Sequence, residues 1–521
     1  MSRTRRLMVA VGAGYLALAA NAISIGLSIP IALHYLKASD FGLWAVVTQV
    51  ASYLTLLDLG FAQSISRVLI DFKDDPKAGT YGAVFKAAFI VFAVLGLVIV
   101  ACGACAGPWL ATLLGVSADR AGDFSSLLLL QCTVLGVSML AQPFGLPLWS
   151  HQRLDIIHYT NIAVHLASLL ALWIALKAGC SYFSLGYAGL VGVTIYTLST
   201  AFFSIHFKLI PHTRYWGPLN FPLFRAVTGL SRDFFVLSVA AQLTSATQLV
   251  VVSHFLGFGA AGVWSICTKA FSMTQQLISR LFDSSSPALS EMVARGERAR
   301  LQYRLANVVS LSAVLAGTFA VLGAAANRHF VFVWTGGRVT WDAGSDLAAA
   351  ACLFVFCVSR CYTGMTGITK LVGKYKYYAL AEGVLVVALS LILAKPLGFT
   401  GVFISSLVAN LLCGMWFGTR FVSLYFSLPW PQVTWGWLKR SFAFILSFSV
   451  CCEALFRLPG AERGLPLFLI SGTAGLIGAA LAWSVGLDPH LRLELAGYLR
   501  RIAFVHKLFQ RARQRSVTSV P

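Results

Sequence analysis

A stripe of polar and charged side chains in an otherwise apolar stretch is the clearest chemical signal in this sequence. Lys269, Gln276, Arg280 and Asp283 follow one another at intervals of seven, four and three residues. At about 100° per residue they fall within about 40° of one face of an α-helix. Two cations, an amide and a carboxylate on one face are suited to line a hydrated substrate cavity. The structural alternative is that Arg280 and Asp283, three residues apart, neutralise each other.

The composition indicates that this helix crosses a membrane. The chain has 521 residues, of which 58% are hydrophobic and 11% are charged, and its mean hydropathy is +0.77. Soluble domains carry about 25% charged residues. Apolar runs of roughly 20 residues, the length that spans a bilayer, recur from residue 7 to residue 487. We predict an all-α polytopic membrane protein with about 14 transmembrane helices.

The positive charges predict the orientation of the chain. Most of the 40 lysines and arginines lie in alternate connections between the apolar runs. This bias places the N- and C-termini in the cytoplasm. In a soluble protein the net charge of +21 would favour a nucleic-acid partner. In a membrane protein it reflects the excess of lysine and arginine on the cytoplasmic side, so we expect no nucleic-acid partner. The basic, amphipathic tail predicts a surface helix on anionic membrane lipid; a solubilising tail is the alternative.

An internal repeat predicts how the helices are organised. The segment HYLKASDFGLW at 34–44 returns 220 residues later as HFLGFGAAGVW at 254–264, and Gly42 and Trp44 align with Gly262 and Trp264. We expect two parallel-repeat six-helix bundles around a central cavity. The predicted divisions are an N-terminal bundle at 1–207, a cytoplasmic linker at 208–232, a C-terminal bundle at 233–425, two additional transmembrane helices at 426–487 and the tail at 488–521.

The same offset predicts a second polar face. It maps Lys269 onto Gln49 and Asp283 onto Gln63, and Arg67 falls on that face too. Asp58 lies about 180° away on an ideal helix. A buried, unpaired carboxyl group can carry a proton, so Asp58 and Asp283 are candidates for ion coupling.

Other polar residues inside the apolar runs are candidate substrate-binding residues. Arg360 lies well inside its run and Asn410 is central in its own. Amide side chains also occur at Asn21, Gln242 and Gln248. Amides suit sugar hydroxyls, and they equally suit hydrogen bonds between helices.

Several kinds of chemistry have no signal in the sequence. A nucleotide-binding GxxxxGK[ST] motif and the HExxH motif are both absent. The 11 cysteines show no metal or disulfide spacing. The connections between spans that we predict on the side opposite the cytoplasm are too short to form a catalytic domain. We therefore expect no catalytic residues, no metal site and no cofactor, and a protein that is not an enzyme.

Three segments carry a resemblance to a known family. These are LKASDFGLWAVVTQVASYLTLLDLGF, the AQSISR that follows it, and SRLFDSSSPALSEM around Arg280. The sequence resembles the polysaccharide-exporter branch, which includes Wzx-type O-antigen flippases, of the multidrug/oligosaccharidyl-lipid/polysaccharide flippase superfamily. The resemblance covers about residues 7–425.

The resemblance implies a function and its partners. It implies alternating access for a polyprenyl-diphosphate-linked oligosaccharide, moved from the inner to the outer leaflet of the bacterial cytoplasmic (inner) membrane for polysaccharide biosynthesis, as in O-antigen and lipopolysaccharide assembly. Candidate partners are polysaccharide polymerase and assembly proteins. The cations Arg280, Lys269, Arg67 and Arg360 would neutralise the diphosphate. The alternatives are an ion-coupled multidrug exporter, a lipid II flippase of the same superfamily and, in a different class, a membrane glycosyltransferase.

Overall fold

The computed structural model describes most of the chain, and every regular element within the described part is helical. Of residues 3–12 and 221–234 it describes the backbone alone. The prediction of an all-α polytopic membrane protein is confirmed. The described ranges are 3–58, 79–151, 153–218, 221–369, 373–457 and 464–494, together with the pairs 61–62 and 496–497 and a few single residues.

Long helices joined by short connections make up the described chain. The first six are α1 Arg3–Tyr35, α2 Ala38–Ser52, α3 Thr80–Leu113, α4 Ala118–Ser150, α5 Leu154–Lys177 and α6 Phe183–His206. The next four are α7 Phe221–Cys267, α8 Lys269–Ala294, α9 Arg298–Trp334 and α10 Ala343–Ile368. The last four are α11 Tyr375–Asn410, α12 Trp416–Phe426, α13 Trp437–Phe456 and α14 Gly464–Leu481.

Eleven helical stretches in the described chain are long and apolar enough to cross a membrane. Two of them, Phe235–Val293 with 59 residues and Tyr375–Phe426 with 52, are more than twice the roughly 20 residues that one crossing needs. Each is interrupted, at Gly257 and at Gly398, and thus provides two crossings. The helix α13, which carries Lys439, Arg440 and Glu453, is not among these eleven stretches, so the predicted number of about 14 crossings stays a prediction.

The repeated segment turns the chain at the same place in both copies. Lys37 has extended backbone, with φ −74° and ψ 156°, and its equivalent Gly257 has φ 86° and ψ 169°. Helical structure resumes after both residues. The φ angle is negative at Lys37 and positive at Gly257, so the backbone follows a different path through the second turn. Glycine readily adopts such a positive φ.

The two copies of the turn then pack against each other. A Cβ atom on Gly42 would lie 1.8 Å from the Phe258 carbonyl oxygen, and one on Gly262 would lie 2.3 Å from the Ala38 carbonyl oxygen. Ala38 and Phe258 are themselves equivalent in the repeat. The contact is therefore symmetric, and it needs a glycine on both sides.

The described residues group into two compact units, of which the first comprises Met1–Lys269, Phe330–Ser345 and Gly373–Cys413. Its core joins several helices through buried side chains such as Leu33, Phe41, Leu172 and Ile266. The Trp334 indole N–H donates to the Gly26 carbonyl oxygen over 2.9 Å. The predicted cytoplasmic linker at 208–232 falls in this unit, and its second part is already helical from the start of α7.

The second unit comprises Ala270–His329, Asp346–Val372 and Gly414–Pro521. Its core surrounds Phe282, Leu305, Val358 and Tyr362. Tyr362 is fully buried, and its hydroxyl donates to the Val433 carbonyl oxygen over 2.8 Å. The two six-helix bundles proposed from the repeat stay a prediction.

The start of the predicted C-terminal tail is folded onto this second unit. Leu487 and Leu491 are buried in a cluster with Phe444 and Phe448 on α13. Glu494 pairs with Arg304 over 2.8 Å, and Asp488 pairs with Arg440 over 3.6 Å. Residues 498–521, which hold most of the predicted amphipathic tail, lie outside the described residues.

Candidate substrate-binding site

The second unit places an arginine and an aspartate from two spans in direct contact. Arg360 Nη2 on α10 lies 2.7 Å from Asp283 Oδ1 on α8, and each side chain is 49% exposed. Arg360 follows Ser359, which is buried, and precedes the buried Cys361. Its position on the helix surface therefore aims the guanidinium away from the core.

Both members of this ion pair lie inside their spans rather than at the ends. At 1.5 Å per residue, Arg360 is about 12 Å from the end of α10 and Asp283 about 16 Å from the end of α8. Charges at the centre of a transmembrane helix cost about 2.5 to 3.5 kcal/mol on insertion scales. Their exposure is favourable only where water or a polar ligand reaches them.

Arg280 adds a second cation to the same helix face. It is exposed, as is Gln276, while Ile278 and Phe282 are buried on the opposite side of α8. Among the described residues Asp283 pairs with Arg360, and no ion pair links Asp283 to Arg280. The part of the predicted stripe from Gln276 to Asp283 is thus an exposed face, and its carboxylate is bound to a residue of another helix.

The Phe282 ring lies near the Arg360 guanidinium. Arg360 Cζ lies 6.0 Å from the centroid of the Phe282 ring, at the outer limit of a cation–π contact. A Cβ atom on Gly364, one turn after Arg360, would lie 2.2 Å from the Phe282 ring. The glycine therefore lets the ring approach α10 closely. The arrangement presents two guanidinium groups, one of them already bound to a carboxylate.

Lys269, the first residue of α8, is grouped with the first unit and is half-buried. The structure therefore brings together Arg280, Asp283 and Arg360 in the second unit. The exposed Gln276 is one turn away on α8. Arg67 and Gln63 lie outside the described residues, and their predicted roles stay predictions.

In the first unit, α2 and α7 are joined by a polar network. Gln242 Nε2 donates to the Ser52 carbonyl oxygen over 2.9 Å and to Thr55 Oγ1 over 3.0 Å. The hydroxyls of Tyr53 and Thr247 are also hydrogen-bonded. Gln49 Nε2 donates to Ser52 Oγ over 3.0 Å. Gln242 thus satisfies the backbone where α2 ends.

Two other amide side chains predicted as candidates also make hydrogen bonds. One, on α7, donates to α11, and the other lies on α11 itself. Gln248 Nε2 donates to Ser406 Oγ over 2.9 Å. Asn410 Nδ2 donates to Glu382 Oε1 over 2.7 Å. In the described structure these amides make hydrogen bonds between or within spans, which was the alternative to binding sugar hydroxyls.

Tyr53 and Thr55 take part in this network but were not predicted from the sequence. Tyr53 is four residues after Gln49, so the 3.6-residue period used for the other candidates would have placed it on the same face. Thr55 could not be found in this way, because the backbone changes to a 3₁₀ helix at Tyr53–Asp58.

Asp58 ends the 3₁₀ segment and is half-buried. Its Oδ1 accepts a hydrogen bond from the Ala62 N–H over 3.1 Å. Asn21 is half-buried on α1. Within the described chain no group of three or more His, Cys, Asp and Glu side chains is placed to hold a metal ion.

Comparison with protein families and curated sequences gives one match. A family model described as "Polysaccharide biosynthesis protein" matches residues 34–339, more than half of the chain. That segment includes both copies of the repeated turn and all of α8. The comparison with curated protein sequences returned no match.

Several solved structures share the fold at low sequence identity. The lipid II flippase MurJ in an inward closed conformation has a TM-score of 0.64 and 16% identity, covering 90% of this chain and 99% of that one. An inward-facing multidrug-resistance MATE transporter of the MOP superfamily has a TM-score of 0.56 and 15% identity, covering 77% and 98%. A MOP-superfamily transporter from Pyrococcus furiosus has a TM-score of 0.54 and 12% identity, covering 81% and 94%. These similarities concern the fold alone.

Proposed function

The chain belongs to the polysaccharide biosynthesis protein family and has the fold of MOP-superfamily transporters, and from this premise we propose that it is a flippase for a lipid-linked oligosaccharide. The substrate is a polyprenyl-diphosphate-linked oligosaccharide, and it moves from the inner to the outer leaflet of the bacterial cytoplasmic membrane. The polysaccharide built from it is a surface polymer such as O-antigen.

The observation that carries this proposal is the exposed cationic face of α8 and α10. Arg280 and Arg360 present guanidinium groups at depths where a membrane span normally has none. A diphosphate offers several anionic oxygens, and guanidinium groups bind such oxygens with two parallel hydrogen bonds. Because the head group must cross the apolar part of the bilayer, a cationic face within the spans lowers the cost of its passage.

The remaining candidates fall into three groups. Gln276, exposed beside Arg280, binds sugar hydroxyls, and Gln49 does so with the amide hydrogen that it does not donate to Ser52 Oγ. Gln242, Gln248 and Asn410 hold the polar ends and faces of their helices in place, because their amide groups already donate to neighbouring spans or side chains. We further assign Lys269, Arg67, Gln63 and Asn21 to the lining of the substrate path.

No covalent chemistry is required of the protein. The substrate path opens alternately to each side, and the polyprenyl chain stays in lipid while the head group passes. Asp58 and Asp283 are the carboxyl groups that would couple this cycle to an ion gradient. The positive-inside distribution supports cytoplasmic N- and C-termini, which brings the basic tail to anionic lipid. Polysaccharide polymerase and assembly proteins are the expected protein partners.

Export in living cells tests the proposal. In cells that lack the chromosomal copy, Arg280→Ala and Arg360→Ala should abolish surface polysaccharide while the protein still inserts into the membrane at the normal level. The matched control is Arg457→Ala, which also removes an arginine from an ion pair, here with Glu453 over 2.9 Å. This control should export normally. Normal surface polysaccharide in both Arg280→Ala and Arg360→Ala would contradict the proposal.

A further inference from the structure

Asp283 is the only described residue that forms an ion pair with Arg360. The carboxylate occupies a guanidinium edge that a diphosphate oxygen would also seek, because carboxylates and phosphates accept the same planar pairs of N–H donors. Arg280, three residues before Asp283 on the same helix, supplies a further cation. The cluster therefore contains two positive charges and one negative charge.

From this arrangement we infer that Asp283 is an internal counter-ion, which the diphosphate of the substrate displaces from Arg360 and which reclaims Arg360 when the substrate leaves. The inference rests on the proposed function. In this role Asp283 positions the Arg360 guanidinium when no substrate is bound. Its competition with the diphosphate lowers the affinity of the site for the anionic head group.

The exposure of the pair supports exchange rather than permanent pairing. Both side chains are 49% exposed. In a hydrated substrate path, water screens their attraction and solvates both charges when the pair opens. A fully buried pair would resist opening, since each separated charge would lose its partner without gaining solvent. An exposed pair is one that a more highly charged anion can replace.

Phe282 keeps Arg360 in position during such an exchange. The ring is buried, with 2% of its surface exposed, and it lies 6.0 Å from Arg360 Cζ. When Asp283 is displaced, the guanidinium retains this neighbour. The site is thus partly preorganised for the anion, which reduces the entropy lost on binding.

Asp283 also favours release of the substrate. A site with two free arginines and no carboxylate would bind a diphosphate tightly. Tight binding slows transport, because the substrate must dissociate into the outer leaflet. The competing carboxylate weakens the bound state. We therefore expect Asp283→Asn to bind anions more tightly and to transport more slowly.

Binding of farnesyl diphosphate to the purified full-length protein tests this directly. Asp283→Asn should lower Kd about tenfold, equivalent to about 1.4 kcal/mol, and should slow transport in cells and vesicles. Asp283→Glu, which keeps the carboxylate, should restore both values towards wild type. Glu453→Gln removes the carboxylate of the Arg457 pair and should leave Kd unchanged. Inorganic pyrophosphate should follow the same order of variants, since the diphosphate is the shared chemistry.

The outcomes separate this inference from the proposed function. If wild type binds farnesyl diphosphate and Asp283→Asn binds it equally or more weakly, the counter-ion role is wrong while the flippase proposal stands. If wild type and Asp283→Asn both fail to bind it, both proposals fail. Asp283→Ser provides a second carboxylate-free variant should the asparagine variant not fold. If Asp283 had only a structural role, its replacement would lower the stability of the protein without tightening anion binding.

Discussion

Gly42 and Gly262 occupy equivalent positions in the repeat and lie against each other, so that a Cβ atom on Gly42 would be 2.8 Å from the Gly262 backbone nitrogen. The repeat is thus more than a sequence similarity. Its two copies meet at a symmetric contact between backbones. Such contacts are common where small residues let membrane helices approach closely.

Gly42→Ala should destabilise the protein, because the added methyl group collides with the Phe258 carbonyl oxygen on a neighbouring backbone. Overpacking of this kind costs about 1–3 kcal/mol. Gly262→Ala should cost a similar amount, and the double variant less than the sum, because separating the two backbones relieves both collisions. Thermal unfolding in detergent measures the effect. The control is Gly26→Ala, where nothing lies within 4 Å of the new atom; equal melting temperatures for Gly42→Ala and Gly26→Ala would refute the contact.

Gln242→Leu should lower stability rather than substrate affinity. It removes two hydrogen bonds that join α7 to the end of α2, and hydrogen bonds within membranes are worth about 0.6 kcal/mol on average. Gln276→Leu should do the reverse, leaving the melting temperature unchanged and reducing transport, because Gln276 is exposed on the cationic face of α8. The two assays together distinguish the roles. A transport defect in Gln242→Leu at unchanged stability would place that residue in the substrate path instead.

Asp58→Asn should be milder than Arg280→Ala in an export assay. The Asp58 carboxylate accepts a hydrogen bond from the Ala62 N–H, and an asparagine side-chain oxygen can accept the same bond. Arg280→Ala removes a cation that has no other lysine or arginine within two turns of it on α8. A reversed order, with Asp58→Asn the more severe, would show that export depends more on the Asp58 carboxyl group than on the Arg280 cation.

Truncation should separate two parts of the C-terminal tail. Ending the chain after Gly486 removes Leu487 and Leu491, which are buried, and burial of each leucine is worth about 1.5–3 kcal/mol. It also removes the acidic partners of Arg304 and Arg440. Ending the chain after Gly497 keeps all of these contacts. The yield of monodisperse protein in detergent should therefore fall only for the shorter chain, and an equal fall for both would show that the folded boundary lies later.

The membrane fold was predictable because it depends on composition and on the length of apolar runs. The repeat was predictable too, from Gly42, Trp44 and their equivalents. The contact between the two copies was not, because spacing along the chain does not reveal which backbones touch. The different backbone angles at Lys37 and Gly257 likewise depend on packing that the sequence alone does not specify.

The candidate site was predictable only one helix at a time. The 3.6-residue period placed Arg280 and Gln276 on one face of a helix, and both side chains are exposed in the structure. It could not show that Asp283 pairs with Arg360, which lies 77 residues further along the chain. The period also failed beyond Ser52, where the α-helix gives way to a 3₁₀ helix. A 3₁₀ helix has about three residues per turn. The geometry of an ideal α-helix, from which we predicted that Asp58 lies opposite Gln49, therefore does not apply to this segment.

Translocation in vesicles that contain only the purified protein tests the central claim most directly. A fluorescent, short-chain polyprenyl-diphosphate oligosaccharide is placed in both leaflets, and the fraction exposed to a membrane-impermeant quencher is followed over time. We expect that wild type exposes the inner-leaflet label. An Arg280→Ala/Arg360→Ala double variant should leave about half of the total label protected, because that half stays in the inner leaflet, and Arg457→Ala should behave as wild type. Equal protection with wild type and with the double variant, or transport of a lipophilic drug cation in place of the oligosaccharide, would contradict it.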